Sequence, residues 1–372
     1  MFSMPLAKIN ERIRSIAKRT HNMPEDMRRS EIEEELERNW NEVMGKAEQY
    51  RQGRHLLDQG GWFSTMSLGN WITLCEAANV EIIPSRLGAV INPLMIFDIT
   101  QNGFSDRWAE DMNVFLQGFQ DIQDDEIIRF DTCAPAEVKC VMTLGRDNGA
   151  TPAWKGYTKN SDGIVFPKIT DQRLVDNMMA NPENSAPVWI RKWIEPMMIP
   201  GDRNKGFQSA VMPEDRMTEG ETLPEGAGDL FPCEWRVYVK DGEIKAISNY
   251  YTSTTRGETP VDEQIALEMA RQAKCATQRL LTLLDETSAI PHHPMYEHRD
   301  GFDADAIHFS LDFIEARDDT APMGRRLVMI EGGPAHLRNP NWGAHPTCFG
   351  VTTEPEGLAL SVDDIRPLSA LD

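Results

Sequence analysis

The sequence predicts an α+β protein preceded by a helical N-terminal region. Three observations carry this. Residues 233–251 spell a tight hairpin, with two β-rich arms flanking Asp241-Gly242. The stretch after Thr259-Pro260 repeats its apolar residues at helical spacing. Two further apolar runs, 307–315 and 326–331, read as successive strands.

Taken in order, residues from about 6 to 59 read as a polar helical hairpin. Ile9, Ile13 and Ile16 form one apolar stripe, and Ile32, Leu36, Trp40, Val43 and Met44 another, with Pro24 between them. Gly60-Gly61 closes this region. Residues 80–84 and 90–97 read as short strands, and 105–119 as a helix with Trp108, Met112, Phe115 and Phe119 on one side. Strands are expected at 127–130, 137–142, 163–169 and 188–196, with a short helix from Thr170 or Asp171. Residues 197–231, rich in Pro, Gly and acids, read as a long excursion. Asp241-Gly242 suits the positive φ angles of a type I′ turn. Trp235, Val237 and Val239 then share one strand face, and Glu234, Arg236 and Tyr238 the other. Thr259-Pro260, followed by Asp262 and Glu263, starts a helix that carries Ile265, Met269, Ala273, Ala276, Leu280 and Leu284 on one face. The domain boundaries this implies are 1–60, 61–125, 126–196 and 197–372.

Composition excludes several classes. The formal charge of -21 over 372 residues argues against a nucleic-acid partner, since such binders carry a basic face. Six scattered cysteines with no C-x-x-C pair read as reduced thiols in a cytoplasmic protein. There is no signal-peptide core and no apolar run of about 18 residues, so no membrane association is expected. The charged N-terminal helices suit a homodimer.

The chemistry-bearing residues have two readings each at this level. Lys139, inside an apolar strand, is either an edge residue with its head in water or aimed at an anion. Glu234 and Arg236 are either a solvated pair or the lining of a pocket. Asp312 and Glu331 sit inside apolar strands, where an unpaired carboxylate is costly, and this favours a ligating role over surface acids. Magnesium takes such oxygen ligands, usually one or two carboxylates with phosphates and water.

The order is a strand with Lys139, a glycine-bearing loop, a strand and helix, Arg191-Lys-Trp-Ile194, the Glu234/Arg236 hairpin, a helix, and two strands with Asp312 and Glu331. Over roughly residues 126–350 this resembles the ATP-grasp ligases, most nearly their divergent phage and bacterial branch. The resemblance implies an ATP-grasp fold of two α/β subdomains gripping ATP, with the lid in 126–196 and the catalytic part in 197–372. It implies ATP and Mg²⁺ as cofactors. It implies a carboxylate–amine, or carboxylate–nucleophile, ligase that works through an acyl phosphate on small-molecule or peptide substrates.

Residue by residue, the resemblance makes Lys139, or Lys155 in another register, a phosphate ligand. The backbone of Arg191 and Ile194, with Lys192, would hold the adenine, and Glu234 the ribose. Arg236 would balance charge on the phosphates, with Arg256 as a second basic residue. Asp312 and Glu331 would be the metal ligands, while His336 and Arg338 would meet the substrate. Gly333 stands where the family's Glu-x-Asn motif has asparagine, and Arg191 where its hinge has glutamate. These departures support the alternative of a catalytically inactive nucleotide-binding or structural protein on the same scaffold. A further alternative, a nucleotidyltransferase of the polynucleotide-ligase type, rests on a faint likeness in residues 161–168.

Overall fold

The computed structural model describes residues 34, 54–90, 95, 106–119, 121–123, 125–131, 158–160, 163–165, 187–201, 230–250, 258–297, 303, 305–335 and 359–360. The chain is a mixed α and β protein. Its first described elements are α1 (Arg54–Gln59), β1 (Gly61–Ser64), α2 (Leu68–Ala77), β2 (Ser85–Val90), α3 (Ala109–Gln117), β3 (Glu126–Phe130), β4 (Thr158–Asn160), β5 (Gly163–Val165) and β6 (Pro187–Lys192). There follow β7 (Met198–Pro200), β8 (Leu230–Pro232), β9 (Glu234–Lys240), β10 (Glu243–Asn249), α4 (Pro260–Thr287), β11 (Ala289–His292), β12 (Phe309–Arg317), β13 (Arg325–Gly333) and β14 (Ala359–Leu360).

The described residues fall into two units, one holding those of 1–55, 85–135 and 156–191, the other those of 56–84 and 192–372. The stretch 61–125, expected as one small domain, is divided between them. Among the described residues no helix is long and apolar enough to cross a membrane.

In the first unit, β6 is the central strand of a three-stranded sheet with order β2-β6-β3. Ser85 pairs with Arg191 and Val90 with Pro187, in antiparallel register. Trp108, Phe115 and Phe119, the apolar side expected of the 105–119 helix, are all buried. β4 and β5 pair as a short antiparallel ribbon.

The second unit is built on a five-stranded sheet of order β13-β12-β9-β10-β14. Its pairings are antiparallel throughout. One face is covered by α2 and α4. The α4 helix starts where the Thr259 side chain accepts the Asp262 N–H at 3.1 Å, with Pro260 in the first turn, where a missing N–H costs nothing. Its buried side is Ala266, Met269, Ala270, Ala273, Ala276, Leu280 and Leu284. The alanines let the helix lie close on the sheet. Trp71, Leu74, Phe63, Trp235, Val237, Val239, Phe309, Leu311, Phe313 and Met329 complete this core. Full burial of a large apolar side chain contributes about 1.5–3 kcal/mol, so this layer dominates the stability of the unit.

Three expectations differ from the structure. Residues 80–84 form no strand. Ile82 makes one isolated bridge to Met329, and the strand begins at Ser85, after Pro84, which has no N–H to pair. Of the run 90–97 the structure describes Val90, which ends β2, and Met95, which is helical and not extended; its other residues lie outside the described residues. Finally, β6 stops at Lys192, short of Pro196. The expected strand 137–142, the helix from 170, most of the excursion 197–231 and the N-terminal hairpin lie outside the described residues. At the base of the excursion β7 and β8 pair antiparallel.

Candidate functional site

The site is set by the hairpin. Asp241 and Gly242 both have positive φ, 55° and 72°, as a type I′ turn requires. Lys240 pairs with Glu243 across it. This register fixes the faces: Trp235, Val237 and Val239 enter the helix-covered core, and Glu234, Arg236 and Tyr238 take the other side.

Residues directly opposite one another in a sheet share a face. Ser248 lies opposite Arg236, Arg236 opposite Asp312, and Asp312 opposite Glu331. The three charged residues therefore form one row across β9, β12 and β13. Plain alternation along β13 would put Glu331 on the core side with Leu327 and Met329. A register shift prevents this. Asp312 pairs with Glu331 but Phe313 pairs with Met329, so Ile330 is an extra residue and Glu331 turns to the face of Asp312.

The Arg236 guanidinium grips Asp312 in a two-bond fork. Nε donates to Oδ1 at 2.6 Å and Nη2 to Oδ2 at 2.6 Å. The Asp312 side chain is 7% exposed and that of Arg236 15%. Burial works against the Arg236 charge, but the charges of Asp312 and Glu234 and the hydrogen bond to Asp312 outweigh it and raise its pKa. The guanidinium carbon stands 4.5 Å from the centre of the Tyr250 ring, a cation–π arrangement. Burial also raises the Tyr250 pKa. Arg236 opposes that rise, while Glu234, Asp312 and Glu331 add to it, so the phenol stays protonated. Tyr250 thus senses all four charged groups of the cluster. The Tyr250 N–H donates to the Glu234 carbonyl at 2.7 Å, which ties the end of the hairpin to the start of β9. The sequence reading left Tyr250 out of the site. Its place next to Glu234 across the hairpin was the one available signal.

The remaining sequence-derived residues divide as follows. Arg191 is buried at 2% exposure, and its Nε donates to Ser85 Oγ at 3.0 Å. The unit boundary falls between Arg191 and Lys192. Lys192 is exposed, and its N–H donates to the Pro84 carbonyl at 2.9 Å. Ile194 packs on Ile83, Ile314, Ala316 and Val328. Glu234 is buried on the face of Arg236, opposite Ile314. Lys139, Lys155, Arg256, His336 and Arg338 lie outside the described residues.

One acid that sequence reasoning did not single out is the most buried of all. Glu315, on the core side of β12, is fully buried. It accepts the Trp235 indole N–H at 2.7 Å and pairs with Arg325 at 2.7 Å. It lies on the other side of the sheet from Asp312 and is a structural ion pair.

Asp312 and Glu331 are the oxygen donors of the polar face that would hold a hard cation. Among the described residues no group of three or more His, Cys, Asp or Glu is placed to hold a metal by itself. Magnesium needs fewer, because one or two carboxylates with phosphates and water suffice. Asp312 and Glu331, opposed on neighbouring strands, supply two.

No family model and no curated protein sequence matches the chain. Among solved structures it is similar to C-terminally truncated Cdc123 from Schizosaccharomyces pombe, with a TM-score of 0.33 and 13% identity, over 73% of this chain and 83% of that one. A likeness at this level establishes neither fold nor function.

Proposed function

We propose that the protein is an ATP- and Mg²⁺-dependent ligase of the ATP-grasp type, joining a carboxylate to an amine or other nucleophile through an acyl phosphate. The observation that supports this reading is the row Arg236, Asp312, Glu331 across three strands, with Asp312 directly opposite Glu331. Asp312 and Glu331 would hold Mg²⁺, which when bound neutralises charge on the ATP phosphates. Phosphoryl transfer asks little covalent help of a protein and much positioning and charge balance. Arg236 offers the guanidinium that balances the transferred phosphoryl group and the acyl phosphate oxygens. The Tyr250 ring lies against that guanidinium at 4.5 Å. Glu234, two residues before Arg236 on the same strand, would meet the ribose hydroxyls, and Lys192 and Ile194 the adenine. Rigid strands carry the four charged groups, so their geometry is set before ligands arrive.

A second reading has its own support. Both Asp312 oxygens are engaged by Arg236, and Gly333 offers no side-chain ligand. These favour a protein that binds nucleotide without catalysis. Phosphate release from ATP, measured over a panel of amines and carboxylates, separates the two. Release that needs both substrates identifies a ligase. Nucleotide binding without release over the whole panel identifies the second reading.

A further inference from the structure

The helix-covered side of the five-stranded sheet, opposite the Arg236 row, carries a cleft of about 600 Å³. Small-ligand sites span about 300–1,000 Å³. All of the cleft belongs to the second unit: α2 and the turn after it line one side, α4 another, and β12 and β13 the base. The turn is tight. Asn79 takes a positive φ of 52°, and the Val80 N–H donates back to the Cys75 carbonyl at 2.8 Å. Val80, Ala276, Phe313 and Leu327 give the cleft an apolar lining.

Most of its polar groups are already engaged. Arg326 Nη1 donates to Glu81 at 2.7 Å, and Arg271 lies 3.6 Å from Glu268. Gln272 donates to Glu268 at 3.3 Å and accepts the Leu327 N–H at 3.1 Å. Two charges are left over, Glu76 on α2 and Arg279 on α4. Neither side chain has a hydrogen bond or ion pair among the described residues. They are opposite in sign, stand on different helices and do not pair with each other. A simple anion would meet as many glutamates as arginines here, three of each, and gains no net attraction. A molecule with an ammonium at one end, a carboxylate at the other and hydrocarbon between them matches the whole lining.

We propose that this cleft binds a short zwitterionic peptide, a dipeptide with apolar side chains. Its ammonium meets Glu76, and its carboxylate takes a two-bond fork from Arg279. Its side chains lie on Val80, Phe313 and Leu327. A single amino acid would leave a cleft of this volume largely unfilled. The proposal does not rest on the nucleotide reading of the opposite face.

Cys275 supplies the readout. It lines the cleft, is exposed, and stands one helical turn from both Arg271 and Arg279. The full chain is alkylated with iodoacetamide, a neutral reagent, during a titration with leucyl-leucine, and modification at Cys275 is followed by mass spectrometry of its peptide. Half-protection is expected at about 0.1–1 mM dipeptide. N-acetyl-leucyl-leucine lacks the ammonium and leucyl-leucine amide lacks the carboxylate, and each should need about tenfold more. In Arg279→Gln the dipeptide and its amide should protect alike. In Glu76→Gln the dipeptide and its N-acetyl form should protect alike. Alkylation unchanged by leucyl-leucine up to about 10 mM overturns the proposal. So does equal protection of the wild type by the dipeptide and both capped forms, a comparison that needs no variant to fold.

Discussion

Glu331 faces Asp312 because Ile330 is looped out of the β13 register beside it. Were Ile330 to take an ordinary place in the register, strand alternation would carry Glu331 into the apolar layer under α2 and α4. The cluster on the polar face is therefore the product of a bulge as much as of the side chains.

The residue after Glu331 tests this geometry. A Cβ on Gly332 would lie 2.1 Å from Cε2 of Trp71, whereas one on Gly333 would meet only Ser310 Oγ at an ordinary 3.5 Å. Trp71 cannot yield easily. It is fully buried, its Nε1 donates to the Thr65 carbonyl at 2.8 Å, and its ring packs against Phe63 and Phe309. Gly332→Ala is expected to destabilise by about 1–3 kcal/mol through overpacking. Gly333→Ala is expected to fall within about 0.5–1 kcal/mol of the wild type. Urea midpoints of the two variants check the contrast, and equal losses would contradict it.

The buried pair beneath the sheet makes a second prediction. Glu315→Ala leaves Arg325 without its carboxylate and the Trp235 indole without its acceptor. The expected loss is about 3–5 kcal/mol. Replacing the whole pair, as Glu315→Leu with Arg325→Met, should cost clearly less than the sum of the single changes, because apolar residues of similar size often substitute for a buried pair. Denaturant unfolding of the single and double variants measures the difference.

His308 gives a dependence on pH. It is fully buried, with Nδ1 accepting the Asp241 N–H at 3.1 Å and Nε2 2.7 Å from the Asp303 carbonyl. Those partners assign a neutral ring with its proton on Nε2. Burial lowers its pKa below the ordinary 6.5, although the bond to Asp303 and the charge of Asp241 work the other way. Below pH 6.5 the unfolded chain takes up a proton that the folded ring resists, so stability falls as pH drops from there towards the lowered value. His308→Gln should lose stability at neutral pH through poorer packing but lack this part of the slope. Unfolding midpoints of the two proteins should therefore converge as the pH falls through 6.5 and below it. A constant gap across that range would contradict the assignment.

Much of this fold was legible in the chain. Asp241-Gly242 marked the hairpin, alternation placed Trp235 and Arg236 on opposite faces, and Thr259-Pro260 marked the start of α4. Local chemistry decides all of these. The parts that were not legible depend on partners far along the chain. The bulge at Ile330 answers to β12 and is written nowhere in β13 itself. Glu315 reads as one more acid at a strand end until Trp235 and Arg325 close over it. The pairing of β1 with β11 is invisible in either segment alone, and so is the joining of β1 and α2 to the core of the C-terminal sheet. In the candidate site, sequence order brought out Arg236, Asp312 and Glu331, but the Arg236–Asp312 fork and the Tyr250 platform needed the register.

The central claim is that Asp312 and Glu331 together hold a divalent cation against ATP. Titration calorimetry of the full chain with ATP, with and without Mg²⁺, tests it most directly. The account predicts binding that requires Mg²⁺ and disappears in Asp312→Ala and in Glu331→Ala, with both variants still folded by circular dichroism. Binding of equal strength without Mg²⁺, or unchanged in folded Glu331→Ala, would contradict it.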